Sequence, residues 1–215
     1  MGKNERRRSA MLPHRCGGAP SRGSLGIRWK AAKEIFLRVR AMKFIFESAR
    51  LGFRAFRKSD AKALYQHHSE PEYKRWFPNE SYGDVKEARA AIALFRSCVK
   101  KKTMPFVLAI ELLETGELIG DVGVNEVDGK SGGVEMGFSI CEKAQGAGYA
   151  TEAVMAVTKF VMPAFSIKRL YGRVMQGNDA SCSVLQKCGY AYQTIEMGAP
   201  DDPYGNGMLI YMRSE

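Results

Sequence analysis

Residues 134–154 read VEMGFSICEKAQGAGYATEAV, and three local patterns follow one another there in an order that decides the fold. VEMGFSI alternates like a β-strand, QGAGYA is a glycine-rich turn, and a helical pattern begins at Thr151. Gly146 and Gly148 allow a tight turn and let a ligand approach without a Cβ in the way. The N–H groups of residues 146–151 precede the first helical hydrogen bonds, and the helix dipole adds positive potential. The turn therefore predicts a pyrophosphate site, with a plain strand-to-helix connection as the alternative.

Regular elements continue on both sides of this stretch. Upstream, the pattern predicts a strand in residues 44–56, helices over 59–68 and 83–102, and strands over 105–112 and 118–127. The segment EPEYKRWF, between the two helices, reads as a short helical turn or loop. Downstream come a strand at 169–175, a helix ended by Gly189 and a closing antiparallel strand pair. This order predicts an α+β fold, a mixed, mainly antiparallel sheet flanked by helices.

The positive charge is concentrated at the N-terminus. The chain has 215 residues and a formal charge of +10, but residues 1–41 alone carry +9 and the rest only +1. We therefore expect a basic, disordered leader over 1–41 and one domain over 42–215 that is not itself a nucleic-acid binder. The leader has three interpretations: sequence upstream of a true start at Met42, a basic tail for RNA or a membrane, or an organellar transit peptide. An alternating strand directly after Met42 favours the first.

The residue inventory excludes several function classes. Five cysteines, at positions 16, 98, 141, 182 and 188, form no CxxC pair, which favours reduced thiols and a cytoplasmic protein. No apolar run is long enough for a transmembrane helix, so we expect no membrane partner. Neither GxxxxGK[ST] nor GxGxxG occurs, which argues against those two nucleotide cradles.

One local run is compatible with metal binding. HHSEPE brings His67, His68, Glu70 and Glu72 close together in the sequence. The alternative is a polar helix end before Pro71, and we favour it, so no metal is expected.

Taken together, the motifs resemble the GNAT superfamily of N-acetyltransferases. QGAGYA fits its [QR]xxGx[GA] acetyl-coenzyme A signature, and residues 47–196 are similar to its RimJ/RimL-like branch, which acetylates ribosomal-protein N-termini and small amines. ELIGDVGV and VEMGFSI resemble the third and fourth strands of that branch, and NDASCSVLQKCGY its N-x-x-S…K-x-G-[FY] segment. The resemblance implies the GNAT fold, an acetyl-CoA co-substrate and an amine acceptor.

The resemblance also implies roles for individual residues. The pantetheine arm would pair with the fourth strand and bind Asn178, and Ser181 would lie near the thioester sulfur. Glu135 would face the acceptor amine as a base; taken alone, it reads as a strand carboxylate facing solvent. The implied coenzyme-binding residues are Phe138, Ser139, Ile140, Gln145, Gly146, Ala147, Gly148, Tyr149, Ala150, Thr151, Asn178 and Ser181.

One position departs from the family pattern. Many GNAT enzymes carry a tyrosine acid on the last helix, but this chain has Leu185 there. We therefore expect Ser181 to protonate the thiolate, with Tyr190 or Tyr192 as alternatives. Trp76 and Phe77 are expected to line the acceptor pocket, since the loop between the first two helices does so in this superfamily; capping of the sheet is the alternative.

The expected function is acetyl transfer from acetyl-CoA to a primary amine, either a protein N-terminal α-amine or a small molecule, by direct attack on the thioester. Two alternatives stay open: a non-catalytic acyl-CoA sensor, which Leu185 favours, and an RNA- or ribosome-associated protein tethered by residues 1–41. We expect a monomer or a homodimer.

Overall fold

The computed structural model describes residues 43–127, 133–199, 201–202, 204–205 and 207–215. The expectations for the leader over 1–41 and for a start at Met42 lie outside these residues. No helix in the described part of the chain is long and apolar enough to cross a membrane.

The described residues form eight strands in one sheet. They are β1 (Phe46–Glu47), β2 (Leu51–Arg54), β3 (Phe106–Leu112), β4 (Leu118–Glu126), β5 (Val134–Ile140), β6 (Arg169–Met175), β7 (Ala191–Glu196) and β8 (Met208–Ser214). Their spatial order is β1-β2-β3-β4-β5-β6-β8-β7. Only the β5–β6 pair is parallel, and the others are antiparallel. The predicted α+β class with a mainly antiparallel sheet is confirmed.

Five α-helices cover the sheet in the described residues. They are α1 (Ala61–His67), α2 (Pro71–Trp76), α3 (Val85–Lys101), α4 (Tyr149–Ala164) and α5 (Asp179–Lys187). Helix α4 provides the crossover between the parallel strands β5 and β6, as such a connection requires. It begins at Tyr149, two residues before the predicted start at Thr151.

The helices enclose an apolar core on each face of the sheet. On one face, α4 residues such as Val154 and Val157 pack with β3 and β4 residues such as Leu108 and Val122. On the other face, residues of α1 and α3 pack around Ala109 of β3. Because strand side chains alternate, even-numbered residues of β5 face α4 and odd-numbered residues face α1.

The structure corrects one local prediction and refines another. The first predicted strand is a hairpin, because Ser48 N–H donates to the Leu51 carbonyl at 2.8 Å and turns the chain between β1 and β2. The EPEYKRWF segment, predicted as a helical turn or loop, contains a short helix, α2, with Pro71 in its first turn.

Candidate active site

A cleft opens where the two parallel strands separate. Pairing between β5 and β6 covers Val134–Met136 opposite Leu170–Gly172 and then stops. Strand β5 nevertheless continues to Ile140 and β6 to Met175. The edge of β5 over residues 137–140 is therefore unpaired on the β6 side.

Backbone groups of β5 point into this cleft at alternate residues. Cys141 N–H donates to the Ile119 carbonyl at 2.8 Å, so odd-numbered residues of β5 bond to β4. The N–H and C=O groups of Phe138 and Ile140 consequently face the cleft. Gln145 Nε2 already donates to the Ile140 carbonyl at 2.9 Å, which leaves the Ile140 N–H and both groups of Phe138 for a ligand.

The glycine-rich turn continues the cleft at its far end. Gly146 and Gly148 have φ values of 77° and 80°, a region that favours glycine. The first helical hydrogen bond of α4 runs from Glu152 N–H to the Gly148 carbonyl. The N–H groups of residues 146–151 therefore precede the helical ladder and can bind an anion.

Arg50, from the β1–β2 turn, holds this loop in place. Its guanidinium donates to the Ala147 carbonyl at 3.0 Å, lies 4.4 Å from the Tyr149 ring centre and pairs with Glu152 at 2.7 Å. Burial alone would raise the pKa of Glu152, but hydrogen bonds from Ser48 and Arg50 and the charge of Arg50 outweigh it and lower that pKa. The glycine-rich turn is thus held by contacts between two distant parts of the chain.

Asn178 and Ser181 begin α5, on the β6 side of the cleft. Asn178 is buried, and its Oδ1 accepts a hydrogen bond from Ser181 N–H at 3.1 Å. Among the described residues, Asn178 Nδ2 has no hydrogen-bond partner, so it is available to a ligand. The structure therefore brings Asn178 and Ser181 to the cleft that Phe138 and Ile140 line.

The residues considered for thiolate protonation lie in different surroundings. Leu185 is fully buried and packs so closely on Gly172 that a Cβ there would lie 2.7 Å from its Cδ1. Tyr190 is buried with its hydroxyl 2.8 Å from that of Thr158, and burial raises its pKa to about 12. Tyr192 is half exposed on β7.

Glu135 lies on the face of the sheet opposite α4, beside an open space. Three successive cross-strand pairs occupy this face: Asp121–Ser139, Gly123–Gly137 and Asn125–Glu135. A Cβ added at Gly137 would have no atom of the described residues within 4 Å, so a gap lies over the sheet at Gly137. Arg173 lies 3.9 Å from a Glu135 carboxylate oxygen.

Trp76 and Phe77 end α2, near the same face. The Trp76 indole N–H donates to Glu72 at 2.6 Å, and the Phe77 ring stacks on Tyr73 with centres 4.8 Å apart. Both side chains are half-buried, so each keeps an accessible edge.

A buried polar chain lies beneath the end of α1. His67 Nδ1 lies 2.9 Å from Glu70 and its Nε2 lies 2.8 Å from Ser139 Oγ. Ser139 Oγ donates to Asp121 at 3.1 Å, and His68 Nε2 lies 3.0 Å from the same carboxylate oxygen. Burial alone would raise the pKa of Asp121, but the attraction of His68 and the hydrogen bonds outweigh it and lower that pKa. The Ser139 side chain thus belongs to this buried hydrogen-bond network, and the Ser139 backbone pairs with β4.

Comparison with known proteins identifies the family. An acetyltransferase (GNAT) domain matches residues 50–191. The chain belongs to the GNAT acetyltransferase family. The uncharacterized N-acetyltransferase YoaA of Bacillus subtilis is 28% identical over 151 residues, which are 70% of this chain and 85% of YoaA.

Solved GNAT structures share the fold. RimL, a ribosomal L7/L12 alpha-N-protein acetyltransferase in complex with coenzyme A, matches with a TM-score of 0.64 and 17% identity over 78% of this chain and 95% of that chain. The ribosomal-protein-S5-alanine acetyltransferase of Vibrio fischeri matches with a TM-score of 0.67 and 16% identity; the match covers 79% of this chain and 95% of that chain. The predicted GNAT fold is confirmed, and ribosomal-protein acetyltransferases are among the proteins that share it.

The sequence does not single out two residues that the structure brings to these elements, Arg50 and Asp121. Arg50 lies almost a hundred residues before the loop that it contacts, and no local motif marks it. Asp121 stands in the quoted strand ELIGDVGV, but only the register of β4 against β5 reveals that it faces Ser139. His67 and His68 lie at the predicted helix end, yet their rings turn inward.

Proposed function

We propose that the protein transfers the acetyl group of acetyl-CoA to a primary amine, which attacks the thioester directly. The observation that carries this proposal is the separation of β5 from β6, because it leaves the Phe138 and Ile140 backbone groups facing one continuous cleft. The pantetheine arm would pair with that strand edge, and its pyrophosphate would bind the N–H groups of residues 146–151. RimL, solved with coenzyme A, has the same fold and supports this ligand.

The acceptor amine would lie over the gap at Gly137. Glu135 is two residues away on the same face, or roughly 7 Å along the strand. An amine must be neutral to attack, and an α-amine with a pKa of about 8 loses its proton more readily than a lysine amine at about 10.4. Glu135 would accept that proton, directly or through water.

The remaining groups would handle the charge that develops on the thioester. The Phe138 N–H faces the cleft and would donate to the carbonyl oxygen as it becomes negative. Ser181 would protonate the departing thiolate, because Leu185 offers no hydroxyl and the Tyr190 hydroxyl is bonded to Thr158 in the core. Trp76 and Phe77 would contact the acceptor.

The acceptor would be a protein N-terminal α-amine or a small-molecule amine. The two ribosomal-protein acetyltransferases of similar fold favour the first. The second candidate function is a non-catalytic acyl-CoA sensor, and the buried, apolar Leu185 at the usual tyrosine position favours it.

Thiol release from acetyl-CoA with a panel of peptides and small amines separates these functions. An enzyme releases thiol with at least one amine class; a sensor binds acetyl-CoA without turnover. In the active combination, Glu135→Gln should keep coenzyme affinity and slow transfer by roughly 10²–10⁴ at neutral pH. Raising the pH should restore part of the rate, since the neutral amine then forms without a base. A wild-type rate in Glu135→Gln would exclude Glu135 as the base.

A further inference from the structure

We propose that His67, His68 and Asp121 form a binding site for a divalent transition-metal ion of the Zn²⁺ class, beside Ser139. The site lies between the end of α1 and strands β4 and β5. Its test requires no acetyl-transfer activity. The HHSEPE run offers the two histidines with Glu70 and Glu72; in the structure Asp121 takes the place of Glu72 as a possible ligand.

The ligand atoms already converge. One atom each from His67, His68 and Asp121 lie within 4.8 Å of one another. Ser139 Oγ lies 2.8 Å from His67 Nε2 and 3.1 Å from Asp121 Oδ2. A tetrahedral zinc ion with bonds of about 2.0–2.1 Å holds its ligand atoms about 3.4 Å apart. Side-chain rotations of about an ångström would therefore close the site.

The outer ring nitrogens have the partners that metal-binding histidines use. His67 Nδ1 lies 2.9 Å from the Glu70 carboxylate, and His68 Nδ1 lies 3.4 Å from the Glu80 carbonyl. Glu70 is itself fixed by a hydrogen bond from Glu142 N–H at 3.1 Å. When a metal ion binds, a proton on each Nδ1 would satisfy these acceptors and leave each Nε2 lone pair for the ion.

Charge balance favours a cation at that centre. With both Nδ1 atoms protonated, the two Nε2 atoms face only Ser139 and the Asp121 carboxylate. Both rings are buried, and their centres lie 5.3 Å apart. The carboxylates of Asp121 and Glu70 would balance the charge of a divalent ion held between them. Two imidazoles with one carboxylate suit Zn²⁺ and similar ions better than Ca²⁺ or Mg²⁺.

The surroundings hold the rings and admit an ion. The His68 ring stacks between Tyr73 and Tyr82, with centres 4.0 and 4.9 Å away. A cavity of about 110 Å³ borders His67, Glu70 and Asp121. It has room beside His67 and Asp121 for a water molecule as the fourth ligand, an arrangement common at zinc sites.

The direct test measures zinc binding by the untagged full chain. The protein is stripped with a chelator, dialysed against Zn²⁺ at neutral pH, and its bound metal is determined by elemental analysis. We expect one zinc ion per chain. His68→Gln and Asp121→Asn should each weaken binding by more than about 100-fold, and Glu70→Gln, which changes only a supporting carboxylate, by about 10–100-fold. Circular dichroism checks that each variant is folded.

Glu72→Gln is the matched control. Glu72 belongs to the same HHSEPE run, but its carboxylate bonds to Trp76, so this variant should keep full zinc affinity. Zn²⁺ should also raise the melting temperature of the wild type and Glu72→Gln but not of Asp121→Asn. If His68→Gln does not fold, the zinc affinities of Glu70→Gln and Glu72→Gln decide whether zinc binds at this site. Absence of stoichiometric zinc in the wild type, or equal affinity in Glu70→Gln and Glu72→Gln, would overturn the proposal.

Discussion

A charge placed in the glycine-rich turn should abolish much of the coenzyme affinity. Gly148 initiates α4 with φ at 80°, and a Cβ added there would meet only Arg50 Nη2, at 3.6 Å. A side chain therefore fits in space, although any residue other than glycine would cost about 1–2 kcal/mol in this conformation. Gly148→Gln and Gly148→Glu share that cost and nearly the same volume. The difference in coenzyme A affinity between the two variants therefore isolates the effect of the negative charge.

The size of that difference follows from the distance to the expected pyrophosphate. Two unit charges about 5 Å apart repel by about 3 kcal/mol at an effective dielectric constant of about 20, which corresponds to roughly a 100-fold change in affinity. Arg50 lies close enough to neutralise part of the new carboxylate, so the lower bound is about tenfold. We expect Gly148→Glu to bind coenzyme A about 10–100-fold more weakly than Gly148→Gln.

Isothermal titration calorimetry with coenzyme A measures this difference without any acceptor. The salt dependence provides a second criterion. Because the screening length falls from about 30 Å at 0.01 M salt to about 3 Å at 1 M, the difference in coenzyme A affinity between the two variants should decrease as salt is added. Equal affinity of folded Gly148→Gln and Gly148→Glu at low salt would refute a pyrophosphate at this turn.

Three further substitutions test the supports of the site and of the fold. Arg50→Gln removes the contacts to Ala147 and Glu152, so the affinity for coenzyme A measured by calorimetry should fall while the far-UV circular dichroism is unchanged. Full coenzyme A affinity in this variant would mean that the glycine-rich turn does not need Arg50. The folded protein lowers the pKa of Glu152. The ionised carboxylate therefore stabilises the fold above its unfolded-state pKa of about 4.3, and this stabilisation is lost as the pH falls through its lower folded-state pKa. Urea unfolding of Glu152→Gln should therefore show a weaker loss of stability in acid than the wild type, and parallel pH profiles would contradict this. Arg54 is buried and pairs at 2.6 Å with both Asp60 and Glu111. Arg54→Met should therefore lower the free energy of unfolding, measured by urea titration, by about 3–5 kcal/mol. A loss below about 1 kcal/mol would show that the two carboxylates find other partners.

The sequence predicts best what neighbouring residues determine. Strand β5, the glycine turn and α4 follow one another within residues 134–164, and their alternation, glycines and helical period are all local. Their types are therefore confirmed, with only the helix start displaced by two residues. The β1–β2 hairpin was missed because FIFESARLGFRAF keeps an extended pattern throughout, and the turn at Ser48 depends partly on a 2.8 Å hydrogen bond to Glu152, which is 104 residues away.

Strand register explains most of what the sequence left undetermined at the site. Asp121 and Ser139 face each other only because β4 pairs with β5 in one register, and a shift of β5 by one residue would turn Ser139 to the α4 face. The same register directs the Ser139 backbone toward β4, so Phe138 and Ile140 are the residues of that predicted trio whose backbones face the cleft. No residue-by-residue motif carries this information.

The gap at Gly137 determines how the two proposed sites relate. The pair Gly123–Gly137 separates Asp121–Ser139 from Asn125–Glu135, so Ser139 and Glu135 lie four residues, or roughly 13 Å, apart on one face. A metal ion at Asp121 would lie on the opposite side of Gly137 from Glu135, where it would hold Ser139 and the C-terminal half of β5 in place. Loss of the ion should then loosen the strand edge that is expected to bind pantetheine and raise the KM for acetyl-CoA, while Glu135 keeps its own effect on kcat. A change in KM alone after zinc removal and a change in kcat alone in Glu135→Gln would separate the two sites within a single enzyme.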